Sequence, residues 1–225
     1  MIIRLRIAET PSFAKVKAEA GESRQPILDV LRQYPREVLL AMGARFAENG
    51  AFYIYSVFAL TYATQRVHMD RQTVLNGILI GAGLELVAIP LYGALSDTVG
   101  RRPVYLFGAI VTALFAYPFF ALLDTGSPPL VWLALVVAFC FSHAAMYGPQ
   151  GAFFSELFGT RVRYSGASLG AQLSAVLAGG LSPLIATALL AAYGRTALVL
   201  YVVGMALVTI VAVWLASETR HTDIS

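Results

Sequence analysis

The stretch that decides the fold is Gly93-Ala-Leu-Ser-Asp97-Thr-Val-Gly100-Arg101-Arg102-Pro103, a polar turn between two long apolar runs. Each run is long enough to cross a bilayer as a helix, which takes about 20 residues. Glycines allow a tight turn between two such helices. An aspartate beside two arginines can hold the two helix ends in one arrangement and release them in another. The stretch therefore predicts two membrane-spanning helices joined by a short charged loop.

Composition extends this prediction to the whole chain. Of its 225 residues, 58% are hydrophobic and 13% are charged, whereas a soluble domain averages roughly 45–50% apolar and about 25% charged residues. A chain this small cannot hide such an excess in a core, because small folds leave much of their surface exposed to water. The composition argues against a soluble, nucleic-acid-binding or disordered protein.

Six apolar segments follow a polar arm at residues 1–37, and each is long enough to span a membrane. They are continuously apolar rather than alternating, which favours helices over barrel strands. We predict spans at residues 38–61, 74–95, 104–123, 130–154, 164–192 and 196–216. The predicted fold class is an all-α membrane protein, with a six-helix transmembrane domain at residues 38–216 and a tail at residues 217–225.

The distribution of basic residues orients these spans. Residues 1–37 contain seven lysines and arginines, and the loops on the same side contain Arg101, Arg102, Arg161 and Arg163. Basic residues accumulate on the cytoplasmic side of a membrane protein. We therefore expect a multi-pass protein of the cytoplasmic (inner) membrane with both the arm and the tail in the cytoplasm.

Charged side chains inside the predicted spans are the first candidates for function, because they are costly in a bilayer. Arg45 and Glu48 share one face of the first span, which Asn49 and Tyr53 extend, and Glu85 lies midway along the second. Arg45 can pair internally with either glutamate, or its planar guanidinium can bind a substrate carboxylate. A glutamate removed from water can also carry a proton. The sequence leaves internal pairing and substrate or proton coupling open.

Other polar residues extend this path. Tyr147 and Gln150 interrupt the fourth span and Gln172 the fifth, so they are candidates to line a cavity. For His143 a hydrogen-bonded packing role is favoured over a proton relay. The predicted substrate and proton path comprises Arg45, Glu48, Asn49, Tyr53, Glu85, Tyr147, Gln150 and Gln172.

Glycine patterns predict where helices approach closely or bend. Gly77-x-x-x-Gly81 and Gly166-x-x-x-Gly170 are small-xxx-small patterns that favour close helix contacts. The run Gly179-Gly180-x-x-Pro183 predicts a bend or local unwinding in the fifth span, either as a packing kink or as a hinge.

Several features argue against an enzyme or a cofactor. Cys140 is the single cysteine, no metal-ligand spacing occurs, and the chain has no GxxxxGK[ST] phosphate loop. Gly166-Ala-Ser168-Leu-Gly170 fits the pattern GxSxG, but a nucleophile elbow needs a strand-to-helix turn and this string lies in a predicted helix. We expect no enzymatic activity, no metal and no cofactor.

The loop from Gly93 to Arg102 fits G-x-[LA]-x-D-x-x-G-R-[RK] and closely resembles the cytoplasmic signature of the major facilitator superfamily. Residues 148–173, GPQGAFFSELFGTRVRYSGASLGAQL, resemble the end of the tenth and the start of the eleventh helix in its metabolite:proton symporter family. Residues 4–13, RLRIAETPSF, resemble the stretch after the sixth helix. That family includes carriers of shikimate, dicarboxylates, citrate, and osmolytes such as proline and betaine.

The resemblance implies that the six helices form the C-terminal half of a twelve-helix carrier. It further implies proton-coupled symport of a small carboxylate or zwitterionic metabolite by alternating access, driven by the proton gradient. It also implies salt bridges between the Asp97 loop and Glu156, Arg161 and Arg163, which stabilise one access state. The implied conformational gate comprises Gly93, Asp97, Gly100, Arg101, Arg102, Glu156, Arg161 and Arg163.

The expected partners are the lipid bilayer, the solute and protons, and no nucleic acid. The resemblance covers half of the family's length, so we expect a fragment of a full carrier. The alternative is a half-transporter that pairs with itself or with a separate N-terminal half. A non-transporting six-helix scaffold or assembly partner is the alternative function.

Overall fold

The computed structural model describes residues 31–158 and 163–219 of the chain. Within these two ranges the chain forms helices and turns, and no strand. The predicted arm at residues 1–37 therefore lies mostly outside the described residues. The α-helices are α1 (Pro35–Tyr53), α2 (Ala59–Gln65), α3 (Arg71–Val99), α4 (Arg101–Asp124), α5 (Pro128–Val137), α6 (Ala144–Glu156), α7 (Arg163–Ser174) and α8 (Ser182–Leu215).

In the described part of the chain, three wider π-helical segments connect some of these helices into longer rods. They link α1 to α2, α5 to α6, and α7 to α8 through Ile54–Phe58, Ala138–His143 and Ala175–Gly180. A π turn inserts one residue into an α-helix and is frequent at functional sites. The predicted bend or local unwinding at Gly179-Gly180 takes the form of a local unwinding, because both glycines belong to the third of these wider segments.

Among the described residues, four helical stretches are long and apolar enough to cross a membrane: Arg71–Val99, Arg101–Asp124, Pro128–Glu156 and Ser168–Leu215. The last has 48 residues, which at 1.5 Å per residue is roughly 72 Å, more than twice the hydrocarbon thickness. Its helix is interrupted at Gly194, where φ is 77°. The described part of the chain thus confirms an all-helical multi-pass membrane protein, and the count of six spans stays a prediction.

Sequence features account for where the helices begin and end. The Asp70 side chain caps α3 by accepting a hydrogen bond from the backbone N–H of Thr73 at 2.9 Å. Gly100, with φ of 118°, ends α3 and starts α4, a backbone conformation that favours glycine. The predicted loop therefore reduces to a single residue between two helices.

The helices pack in a bundle in which α8 contacts α1 and α4, α3 contacts α5 and α6, and α7 contacts α1. The close contacts predicted from the glycine patterns are confirmed. A Cβ added at Gly77 would lie 2.5 Å from Trp132, and one at Gly170 would lie 2.9 Å from the Cβ of Ala41. The string Gly166–Gly170 lies inside α7, as expected, and not at a strand-to-helix turn.

Candidate functional site

The most unusual feature of the interior is a cluster of four ionisable side chains from three different helical rods. Arg45 Nε donates to Glu48 Oε2 at 3.1 Å within α1. His143 Nε2 lies 3.2 Å from Glu48 Oε1, and His143 Nδ1 is hydrogen-bonded to Glu85 Oε1. Glu48, Glu85 and His143 are only 3%, 6% and 8% exposed. We refer to Arg45, Glu48, Glu85 and His143 as the charge cluster.

Local structure explains how the cluster is assembled. Arg45 and Glu48 are three residues apart, so they share one face of α1. Glu85 lies midway along α3, and His143 is the last residue of the π-helical segment Ala138–His143. The rings of Phe52 and Tyr147 lie 4.3 and 5.3 Å from the imidazole, centroid to centroid, and hold it in place. The cluster therefore depends on packing among three rods.

The structure shows which of the two glutamates pairs with Arg45. The guanidinium pairs with Glu48 and not with Glu85, whose hydrogen-bond partner is His143. Only Nε of Arg45 donates to an acceptor among the described residues, and its side chain is 19% exposed. Its two terminal nitrogens thus remain available for an anionic ligand, even though an internal ion pair exists.

The other predicted path residues are placed differently from one another. Asn49 and Gln150 are buried. Gln150 lies beside Glu48, and its Nε2 donates to the hydroxyl of Tyr105 at 3.2 Å. Tyr53 and Tyr147 are 40% and 46% exposed. Gln172 is exposed on α7 and makes no hydrogen bond to the cluster. The structure thus brings Gln150 and Tyr147 to the cluster, places Asn49 and Tyr53 against Gly179, and leaves Gln172 apart from the cluster.

His143 is buried and hydrogen-bonded, in line with the packing role that the sequence favours, but its partners were not predicted. The ring bridges two buried carboxylates that are 37 positions apart in the chain and belong to different rods. The sequence contained a signal for this role. An ionisable histidine midway along an apolar span is as costly to bury as a glutamate there, so it also needs polar partners.

The stretch from Gly93 to Arg102, which we call the signature loop, forms a second charged site at one end of the bundle. Arg101 pairs with Asp97 one turn earlier and reaches Glu156 at the end of α6, where Nη2 lies 3.5 Å from Oε1. Arg101 also donates to Ser96 Oγ at 2.8 Å. This geometry agrees with the implied contact between Glu156 and the Asp97 loop.

Other residues of the predicted gate are placed differently or lie outside the described part of the chain. Arg161 lies outside the described residues, and so does the side chain of Arg163, whose backbone begins α7. Arg102 does not bind Glu156; its guanidinium donates to the carbonyls of Val213 and Trp214 at 3.1 and 2.6 Å, near the end of α8.

Gly93 lies where α3 approaches α6. A Cβ added at Gly148 would lie 2.9 Å from the backbone nitrogen of Gly93, so Gly148 is the glycine that this approach requires. A Cβ added at Gly93 itself would lie 3.5 Å from the carbonyl oxygen of Gly148, an ordinary van der Waals distance.

Glu218 was missed by the sequence reasoning, which treated residues 217–225 only as a tail. Its carboxylate accepts hydrogen bonds from the backbone N–H groups of Arg101 and Arg102 at 3.0 and 3.1 Å. These groups form the amino end of α4, where the helix dipole favours an anion. A Cβ at Gly100 would lie 2.8 Å from Glu218 Oε2, a second reason for glycine there. The acidic residue just after the last apolar run was the available signal.

A third polar network, also missed, lies at the far end of α4. The hydroxyl of Tyr62 donates to Asp124 Oδ1 at 2.6 Å, and Arg195 pairs with Oδ2 of the same carboxylate. Arg195 also lies over the ring of Tyr117, 5.1 Å from its centroid. We refer to Tyr62, Asp124 and Arg195 as the α4-end network. It ties the ends of α2 and α4 to the residue that follows the break at Gly194.

A bundle of apolar helices with a buried charge cluster and a charged signature loop is the architecture of a membrane carrier protein. The chain belongs to the sugar (and other) transporter family of the major facilitator superfamily, whose family model matches residues 8–225. Members of this family are transporters, and the chain is not an enzyme. No solved structure matches the chain significantly.

Several curated proteins are similar to the chain. It is 36% identical over 174 residues to the shikimate transporter of Escherichia coli K12, covering 76% of this chain and 39% of that protein. It is 32% identical over 232 residues to the inner membrane metabolite transport protein YhjE of the same strain, covering 100% of the chain and 52% of that protein. The E. coli K12 proline/betaine transporter is 28% identical over 203 residues, covering 83% of the chain and 39% of that protein. The chain thus spans about half the length of these relatives or less.

Proposed function

We propose that this chain forms the C-terminal half of a carrier that couples proton flow to the uptake of a small carboxylate or zwitterionic metabolite. Six spans, with the arm and tail in the cytoplasm, complete the proposed topology. The break at Gly194 supports two spans within Ser168–Leu215. The helical run from α1 through α2 supplies the remaining span.

The charge cluster is the observation that carries the proposal. Removing a charged group from water costs several kcal/mol in practice, so buried charges in membrane helices are rare and usually functional. Arg45 offers unused donors to a carboxylate, and its neighbours Glu48 and Glu85 are acceptors for protons or for a solute amine. A cluster with these groups can bind an anionic or zwitterionic solute and a proton in one place.

The signature loop supports alternating access. Arg101 joins the α3–α4 loop to α6 through Glu156, while Glu218 and Arg102 join the amino end of α4 to the end of α8. Several charge-assisted hydrogen bonds at one end of a bundle stabilise one arrangement of its helices. We propose that they stabilise one access state and break in the other.

Uptake measurements test the proposal with probes chosen from the relatives' names. Radiolabelled shikimate, proline and glycine betaine would be offered, with and without a pH gradient, to vesicles that contain this chain. A second preparation would contain the chain joined behind the first half of the E. coli shikimate transporter. We expect gradient-dependent uptake of at least one probe in at least one preparation.

Two variants and a control make the test specific to the cluster. Arg45→Ala and Glu48→Gln should each lower uptake about tenfold or more, because a hydrogen bond to a charged group contributes roughly 1.5–3 kcal/mol. Arg71→Ala removes an exposed arginine at the start of α3 and should leave uptake unchanged. If neither preparation transports any probe, the non-transporting scaffold becomes the better interpretation; if uptake survives Arg45→Ala, the cluster is not the solute site.

A further inference from the structure

The imidazole of His143 makes two contacts that a neutral ring cannot satisfy against two ionised carboxylates. Its Nε2 faces Glu48 Oε1 and its Nδ1 faces Glu85 Oε1, both within hydrogen-bond distance. A neutral imidazole has one N–H donor and one acceptor nitrogen, whereas an ionised carboxylate only accepts. Both contacts are hydrogen bonds only if one additional proton is present, either on the ring or on a carboxyl oxygen.

The net charge of the cluster also indicates one additional proton. With Arg45 positive, both glutamates ionised and His143 neutral, the charge cluster has a net charge of minus one, and one added proton makes it neutral. A net charge in a membrane interior is strongly unfavourable. The geometry and the charge balance therefore both require one extra proton in the cluster.

The contacts also indicate where that proton resides. Glu48 is already paired with the guanidinium of Arg45. Glu85 has His143 as its hydrogen-bond and ion-pair partner within the described ranges. An ionised Glu85 beside a neutral His143 would be a buried carboxylate with no compensating charge. The proton therefore belongs to the Glu85–His143 pair.

We infer that Glu85 and His143 share one exchangeable proton, which makes His143 a proton-carrying residue of this site. The inference rests on the proposed function for its role in transport, although the proton itself is required by the resting geometry. On release, the N–H or O–H bond breaks, its electron pair stays on nitrogen or oxygen, and the proton passes to water or to a basic group of the solute. The cluster then has a charge of minus one.

The surroundings of the pair contain few other titratable groups among the described residues. Glu48 of α1 faces the ring directly, and Arg45 faces it only through Glu48. Tyr105 of α4 lies near Glu48, while Cys140 and Tyr147, from the rod of His143 itself, lie near Glu85 and the ring. Glu48 is therefore the main competitor for the proton, and Arg45 opposes protonation of Glu48 by pairing with it.

Nitrogen-15 NMR of histidine-labelled protein in lipid nanodiscs tests the inference at pH 7.5. The chain has three histidines, so the variants His68→Asn and His221→Asn assign the His143 signals without changing the cluster. Infrared spectra would report a protonated Glu85 carboxyl. We expect either two N–H groups on His143, or a ring with one N–H together with a protonated Glu85. A ring with one N–H beside an ionised Glu85 would overturn the inference.

A pair of matched variants tests whether the proton depends on Glu85. In Glu85→Gln, the remaining Arg45 and Glu48 balance each other, so the His143 ring should lose its second N–H and no carboxyl band should be present. Glu37→Gln makes the same chemical change near the start of α1, away from the cluster, and should leave the spectra unchanged. A doubly protonated ring in Glu85→Gln would refute the assignment to this pair. Should Glu85→Gln fail to fold, the wild-type spectra still decide whether the proton is present.

The spectra and the uptake assay fail independently. A shared proton in a protein that transports none of the probes would leave this inference standing and remove the proposed function. Gradient-dependent uptake in a protein whose His143 is neutral beside an ionised Glu85 would support the proposed function and refute this inference.

Discussion

The α4-end network provides a test of how the bundle is held together far from the signature loop. The change is Tyr62→Phe, which removes one hydroxyl and keeps the buried ring in its place beside Phe120, 5.3 Å away by centroid. The hydroxyl donates to Asp124 at 2.6 Å. The substitution therefore isolates a single hydrogen bond to a charged acceptor.

The expected loss follows from the exposure of the acceptor. A hydrogen bond to a charged group contributes roughly 1.5–3 kcal/mol. The side chain of Asp124 is 33% exposed, and Arg195 still pairs with it, so water and the guanidinium replace part of the lost bond. We therefore expect the free energy of unfolding to fall by about 1–2 kcal/mol.

The second partner makes a double-mutant cycle possible. Arg195→Met alone should destabilise by roughly 0.2–1 kcal/mol, because an ion pair with this exposure is well screened by solvent. Tyr62 and Arg195 contact opposite oxygens of one carboxylate. Each substitution should thus change the effect of the other by roughly 0.5 kcal/mol or more.

Unfolding in mixed micelles of dodecyl maltoside and SDS, followed by circular dichroism, measures these free energies. Tyr193→Phe is the matched control, because its ring is 76% exposed and it should leave the unfolding midpoint unchanged. If Tyr62→Phe is as stable as Tyr193→Phe, the hydroxyl does not hold the helix ends together. If the effects of the two substitutions simply add, Asp124 does not link them.

Three further outcomes are expected. Gly100→Ala should lower the free energy of unfolding by about 1–3 kcal/mol, since φ is 118° there, while Gly83→Ala in open space should not lower it in the same SDS titration. Asp97→Asn should slow probe uptake without abolishing probe binding in equilibrium dialysis, and loss of binding would contradict the gate. With Cys140 replaced by serine, a cysteine at Ser225 should react with an impermeant maleimide only after cells are permeabilised, and labelling of intact cells would contradict a cytoplasmic tail.

Hydropathy and turn chemistry predict the helices well, because both act locally along the chain. The boundary at Gly100 and the cap at Asp70 follow from residue types that favour those backbone positions. The count of spans is harder to predict. The run from α1 through α2 contains Arg45 and Glu48 and falls outside the four strongly apolar stretches. Charged residues within a span lower its mean hydropathy, so the predicted span at residues 38–61 is less distinct than the others.

Partners across the bundle could not be predicted in the same way. Arg195 and Asp124 are 71 positions apart, and Arg101 and Glu218 are 117 apart. Burial predicts that such groups need partners, but it does not say which ones, because the choice depends on how the rods are rotated. The pairing of Arg45 with Glu48 is the exception, since a spacing of three residues places both on one helix face.

The π-helical segments explain why His143 was the hardest residue to place. A one-residue insertion rotates everything after it by about 100° relative to a regular α-helix. His143 ends such a segment, and the ring of Phe139 in the same segment contacts Phe52, one turn beyond Glu48. A regular helix built from the same sequence would turn the imidazole away from one of its two carboxylates. The wide turn therefore belongs to the charge cluster, because its backbone aims the imidazole at both carboxylates.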